Sequence, residues 1–419
     1  MRDLQRLLEA EIARLPHQLL EAKIKKKLRA KRARVPADFA AKMATHLLSD
    51  DEAPFRYDDG KVGKPRKVSI SFTDRNAKRV LKTLEAFTDK GLGEMIGELS
   101  ESGAKELFKT LSANWPEHRS FEAADQKGFR DRLEMRWGKG LDNLRMLLAM
   151  VREVGAERAK KRMRRNAKAS PRKDVLVRFH ARMCQVTAEV LCLLENGFAD
   201  AAMARWRTMH EIHVVGTLIA ENDDAFAVRF LQHEAVEAKK AMAEYQAGHK
   251  ALGFAPPSAR DVAQTHSAYD AVIKQYGPEF KEQYGWAAAL VKNKRPTFVD
   301  LERAADKAAM RSYYKMASYG VHSSPKSLFN SLGSLGSDLL LAGASDAGLV
   351  EPGQNAAITL MQMTILVFEE PYALDDIVIM KVMQHFVDAS IKGFVASNRK
   401  LERFAKSRVT TVRPKSRNR

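Results

Sequence analysis

Two short segments hold the residue types and spacings that could do chemistry. In ENGFADAAMARWRTMHEIHVVGTLIAE, residues 195–221, Arg207 and Glu211 are four apart and share a helix face. A guanidinium beside apolar neighbours is always charged and needs an anionic partner, which Glu211 supplies. In MRSYYKMASYGVHSS, residues 310–324, Arg311, Lys315, Ser318 and His322 follow at steps of four, three and four. That spacing predicts one polar stripe on one helix face. His322 closes the stripe just before Ser-Ser-Pro, where the negative end of a helix dipole favours an imidazolium. Together the two segments offer a general base or acid (His322), a fixed cation (Arg207 or Lys315) and a carboxylate (Glu211) that orients one of them. Such groups cut RNA without a metal, by taking the 2′-OH proton and stabilising the phosphorane charge.

Those residues need helices to carry them. From Asp174 onward, long amphipathic patterns succeed one another at about 174–196, 199–221, 223–250, 258–275, 278–290, 298–321, 325–342, 353–369 and 373–405. Asn196-Gly197 marks a helix end. Upstream, helices are expected at 2–33, 37–48 and 74–87. Residues 89–120 read as short helices broken by Gly and Pro, and Leu141, Leu144, Leu148, Val151 and Val154 form an apolar stripe. VSISF, residues 68–72, alternates like a strand but has no evident partner. The fold class expected is all-α: a multi-helix bundle core with a smaller, mainly helical N-terminal region. The expected divisions are 1–67 (basic helical segment and linker), 68–170 (helical N-terminal domain), 171–405 (core bundle) and 406–419 (basic disordered tail).

The formal net charge is +19 over 419 residues. Residues 1–34 hold eleven Lys/Arg against four Asp/Glu, residues 152–182 twelve against three, and residues 399–419 nine against one. The remainder is mildly acidic. Lys25, Lys26, Lys27 and Arg29 in the first segment, and Lys160, Lys161, Arg162, Arg164 and Arg165 in the second, are the candidate nucleic-acid-binding residues. Neither segment interleaves aromatics, which a stacking platform for single strands would need.

Other chemistry finds little support. Cys184 and Cys192 stand eight apart with no CxxC, which argues against disulfides and zinc. His210 and His213 form a two-ligand pair with no third ligand, and HEIH is not the HExxH of zinc proteases. No phosphate loop or nucleophile elbow is present, and no cofactor is expected. The start of the chain is charged from Arg2 and lacks the apolar stretch of a secretion signal. The longest apolar run, near Ile358–Phe368, is too short for a membrane span. A cytoplasmic location follows as an expectation.

The runs LLxxGFxxAAxxxWRxxxE (from Leu193) and YYKxxSxxxH (Tyr313–His322) resemble a large bacterial family of uncharacterised function. That family is recognised by an Arg-x-x-x-Glu helix and a Tyr-Arg/Lys-x-x-Ser-x-x-x-His helix. VSISFTDRNAKR and RWGKGLDNLRMLLAMVREVGAE are similar to its N-terminal region, so the resemblance covers about residues 68–390. More distantly, the core resembles HEPN-type helical domains, many of them dimeric ribonucleases of toxin and phage-defence systems. Their signature is Arg, four to six residues, then His. Here Lys315-x6-His322 stands in its place, with Lys for Arg, and Arg311 lies too far from His322 to fit. This resemblance implies a metal-independent endoribonuclease effector, a homodimer, RNA as substrate, and a role in stress response or phage defence. The alternative is a non-enzymatic helical scaffold that holds nucleic acid or an acidic protein partner through its basic segments.

Overall fold

The computed structural model describes residues 2–49, 51, 53–58, 67–86, 92–164, 170–322, 324–334 and 340–412. The chain divides into two compact units, residues 1–122 and 123–419. Among the described residues both are helical, with no strand.

The first unit is built from α1 (Arg2–Ala30), α2 (Phe39–Leu48), α3 (Asp74–Ala86) and the first part of α4 (Leu92–Arg164). Ile24 and Leu28 of α1 bury against Ala40 and Ala44 of α2, with Ile70 packed on them. Residues 67–73 carry no strand. Two lysine ammonium groups, one in α1 and one just past its end, take up their backbone carbonyls: Lys27 donates to Ser71 and Lys31 to Ser69. Lys27 also lies 4.9 Å from the centre of the Phe72 ring. The alternating VSISF pattern therefore records one apolar contact, at Ile70, on an extended strap tied down by side chains rather than by a neighbouring strand.

Residues 89–120 differ from expectation. From Leu92 they belong to the single helix α4, which passes through Pro116. A proline removes only its own N–H bond and costs about 3 kcal/mol inside a helix. With 73 residues in the helix, the local cost is small beside the many bonds retained.

In the second unit, α5 (Pro171–Glu195) and α6 (Ala199–Glu221) form a hairpin. The Ser170 hydroxyl caps α5 by accepting from Lys173 N–H, and Gly197, at φ +77°, makes the turn. The predicted stripe of α4, Leu141 through Val154, is buried against this core. α14 (Val350–Ile365) packs on both α5 and α6, and α15 (Leu374–Val412) packs on α14. Two buried indoles fasten the layers. Trp206 Nε1 donates to Thr359 Oγ1 at 3.0 Å, and Trp137 Nε1 donates to the Asp346 carbonyl at 2.9 Å. α4 and α15 approach backbone to backbone at Gly140 and Gly393: a methyl on Gly393 would sit 2.7 Å from Gly140 N.

Between these layers the chain is more broken than its amphipathic pattern predicts. Residues 223–250 make two helices, α7 (Asp224–Gln232) and α8 (Glu234–Gly248), and α9 (Ala259–Tyr276) follows. Two 3-10 turns and the short α10 (Ala288–Val291) replace the helix expected at 278–290. Residues 298–321 divide into α11 (Phe298–Ala304) and α12 (Arg311–Val321) around Asp306, whose φ is +53°. Among the described residues of 325–342, α13 (Pro325–Phe329) and one 3-10 turn stand where a longer helix is expected. Of the basic tail, residues 413–419 lie outside the described residues. No described helix is long and apolar enough to cross a membrane.

Candidate functional site

α12 packs across α6, and their contact brings the two chemistry-bearing segments together. Arg207 Nε donates to Glu211 Oε1 at 3.0 Å, one turn along α6. The Tyr314 hydroxyl of α12 donates to the same oxygen at 2.7 Å. The Arg207 guanidinium lies 4.6 Å from the centre of the Tyr314 ring, a cation–π contact. Its Nη1 is 3.3 Å from His322 Nε2, at the C-terminal cap of α12. A guanidinium has donors only, so Nε2 of His322 is the acceptor and its ring proton sits on Nδ1. In this contact the Nε2 lone pair faces the guanidinium. His322 is exposed, Arg207 and Glu211 are half-buried, and Tyr314 is buried. The cluster is thus anchored on its inner side and open on its outer one.

Electrostatics keeps each group in one state. Burial works against the charge on Arg207, but the hydrogen bond and charge of Glu211 outweigh it and raise the group above its ordinary value. Burial, then the Glu211 carboxylate, raises Tyr314 well above a normal phenol. Burial and the same carboxylate raise Tyr284, whose ring lies 6.2 Å from Phe298. At neutral pH Tyr314 is therefore a proton donor and Arg207 a fixed cation.

Beneath lies a second polar layer. Glu302 of α11 is fully buried, and its carboxylate accepts from His210 Nε2 at 2.9 Å and from Arg311 Nη1 at 2.7 Å. His210 stacks on Trp206, with ring centres 5.5 Å apart, and burial lowers its basicity despite Glu302. Arg311 also lies against the Tyr314 ring, at 5.1 Å. The tyrosine thus contacts two guanidinium groups and links the open cluster to the buried one.

Of the residues singled out in the sequence, Arg207, Glu211 and His322 meet. Lys315 is exposed, and Ser318 directs its hydroxyl to the Tyr314 carbonyl of its own helix at 2.7 Å. Arg311 belongs to the buried layer. Lys315 shares the stripe of Arg311, Ser318 and His322 by spacing but lies exposed, while Tyr314, on the inner edge of that stripe, is buried. His210 is a core residue held by Glu302. Among the described residues no group of three or more His, Cys, Asp or Glu could hold a metal ion. In the basic segments, Lys25 pairs with Glu21 at 2.6 Å and Lys27 holds the strap, while Lys26, Arg29 and Lys160 are exposed. The side chains of Lys161, Arg162 and Arg164, and all of Arg165, lie outside the described residues.

Residues 173–338 match the model of a family of unknown function, DUF5677. That span contains Arg207, Glu211, Tyr314 and His322, and also Glu302 and Arg311 beneath them. No curated protein and no solved structure matches the chain.

Proposed function

We propose that the Arg207–Glu211–Tyr314–His322 cluster is a metal-independent RNA-cleaving centre. One observation carries this reading: a half-buried guanidinium, fixed from behind by Glu211 and Tyr314, meets an exposed imidazole whose Nε2 bears a lone pair. His322 takes the 2′-OH proton, and the 2′-oxygen attacks the adjacent phosphorus. Arg207 stabilises the extra negative charge of the phosphorane. The 5′-oxygen leaves with a proton returned by the imidazolium, giving a 2′,3′-cyclic phosphate and a free 5′-hydroxyl. Glu211 and Tyr314 act as positioning residues. In the HEPN-like view, the arginine beside the histidine comes from α6, and Lys315 is not its substitute. Ser318 has a structural part in α12. Exposed basic residues, Lys160 of the same unit and Lys26 and Arg29 of the first unit, each attract RNA on their own, and pairing of two copies would double the centre.

The test compares RNA integrity and growth on expression of the wild type, His322→Ala and Arg207→Ala, under ordinary and phage- or stress-challenged conditions. Cleavage by the wild type alone, leaving cyclic phosphate ends, is the expected result. Equal RNA integrity in all three sinks it. RNA binding retained by all three without cleavage would favour the scaffold reading, in which the basic residues hold a polyanion and the cluster only stiffens the bundle.

A further inference from the structure

Away from this cluster, the second unit has an open groove of about 810 Å³ between the end of α6, α7, the end of α9 and α10. That volume is within the range of small-molecule sites. Its walls include Phe226, Tyr276, Trp286 and Leu290, with the amides of Asn222 and Gln275 at its polar positions. Arg229 of α7 also lines it. Arg229 Nε donates to the Trp286 carbonyl at 2.8 Å and Nη2 to the Gly285 carbonyl at 3.3 Å. The guanidinium lies 4.8 Å from the centre of the Tyr276 ring and 5.3 Å from that of Phe280.

What this cation lacks is a counter-charge. Among the described residues Arg229 pairs with no carboxylate; its partners are two neutral carbonyls and two aromatic faces. Burial accordingly lowers it below an ordinary arginine, where the paired Arg207 is raised. The one acid of the groove, Asp223, caps α7 by accepting from Phe226 N–H at 2.9 Å. With the Nε edge fastened to carbonyls, the Nη1 edge keeps donors in the fork geometry that carboxylates and phosphates match.

We propose that the Arg229 groove binds a small organic anion: a carboxylate or phosphate monoester carried on a flat, apolar body. The anionic group takes the open edge of the guanidinium, and the body lies along Phe226, Tyr276 and Leu290. This site is independent of the RNA-cleaving centre and does not need it.

Four probes test it by titration calorimetry and by the fluorescence of Trp286, which lines the groove: benzoate, phenyl phosphate, inorganic phosphate and benzamide. Benzoate or phenyl phosphate is expected to bind saturably, at least tenfold more tightly than benzamide. Whichever is tighter identifies the anionic group, and inorganic phosphate reports what the ring adds. Arg229→Gln should weaken binding at least tenfold. Because Arg229 also holds the Gly285–Trp286 turn, Leu290→Trp serves as a second variant. It fills the groove, leaves the arginine's bonds intact, and should abolish binding with unchanged unfolding temperature. Absence of saturation by both ring-bearing anions overturns the proposal. So does equal binding of benzamide, or unchanged binding in the Leu290→Trp variant.

Discussion

Glu302→Ala tests the polar layer on which the candidate site rests. Among the described residues, the Glu302 carboxylate is the acid hydrogen-bonded to both His210 and Arg311. Removing one member of a buried ionic cluster costs about 3–5 kcal/mol, because the others stay behind without a partner. Here the two survivors differ. The Arg311 side chain is 28% exposed and can regain part of its hydration. The His210 side chain is 2% exposed and can regain almost none. The cost should therefore lie near the lower end, about 3 kcal/mol. At about 2–4 °C per kcal/mol for domains of 150–250 residues, and somewhat less for a larger unit, the melting temperature should fall by about 6 °C. Urea unfolding followed by far-UV circular dichroism gives the free energy, and calorimetry the temperature. Replacing all three groups with apolar side chains (Glu302→Leu, Arg311→Met, His210→Phe) should recover most of the loss, since desolvation of the charges is then no longer required. A single-variant loss below about 1 kcal/mol, the scale of an exposed pair, would refute the reasoning.

Three further outcomes follow from the packing. Burial lowers His180 to about 4 and His213 to about 3, against about 6.5 for free histidine. Below pH 6.5 the unfolded chain binds protons that the folded chain refuses, so this stability is complete above pH 6.5 and is lost as pH falls toward those values. Each histidine should remove about 2 kcal/mol between pH 7 and pH 5. Denaturation midpoints at the two pH values should converge in His180→Gln and His213→Gln, and a wild-type midpoint that ignores pH would contradict the argument. Gly393→Ala puts a methyl 2.7 Å from a backbone nitrogen of α4, which cannot rotate away. The loss should be near the top of the overpacking range, about 3 kcal/mol, read by urea midpoint. Gly155→Ala meets the His180 ring at 2.6 Å; a ring can turn, so a smaller loss on the same measurement is expected.

Much of this was legible in the sequence where chemistry is local. The α5–α6 hairpin announces itself in Ser170-Pro171 and Asn196-Gly197. The Arg207–Glu211 pair follows from a spacing of four. What was not legible came from contacts between distant segments. Tyr314 is next to a more conspicuous lysine, and nothing in its own turn shows that Glu211, 103 positions away, receives its hydroxyl. The packing alone shows it: Tyr314 and Ala317 are the buried positions of α12. Glu302 likewise stands among Asp300, Arg303 and Asp306, so nothing local marks it as the acid that is buried. The breaks at Asp306 and between α7 and α8 leave no mark, because amphipathic periodicity runs straight across them. Continuity of α4 through Pro116 is hidden for the opposite reason, since proline punctuates a sequence more strongly than it must punctuate a long helix.

The strap held by Lys27 and Lys31 changes how the basic N-terminal segment should behave as a polyelectrolyte. Residues 23–34 contain eight Lys/Arg, yet three of them already have oxygen partners within their own unit: Lys25 on Glu21, Lys27 on Ser71 and Lys31 on Ser69. If only the other five can displace counterions from a nucleic-acid duplex, the segment's share of the slope of log K against log salt is limited to about −4.5, where the raw count of eight implies about −7. A salt titration of nucleic-acid binding, repeated after acetylating the lysines, would read that difference directly.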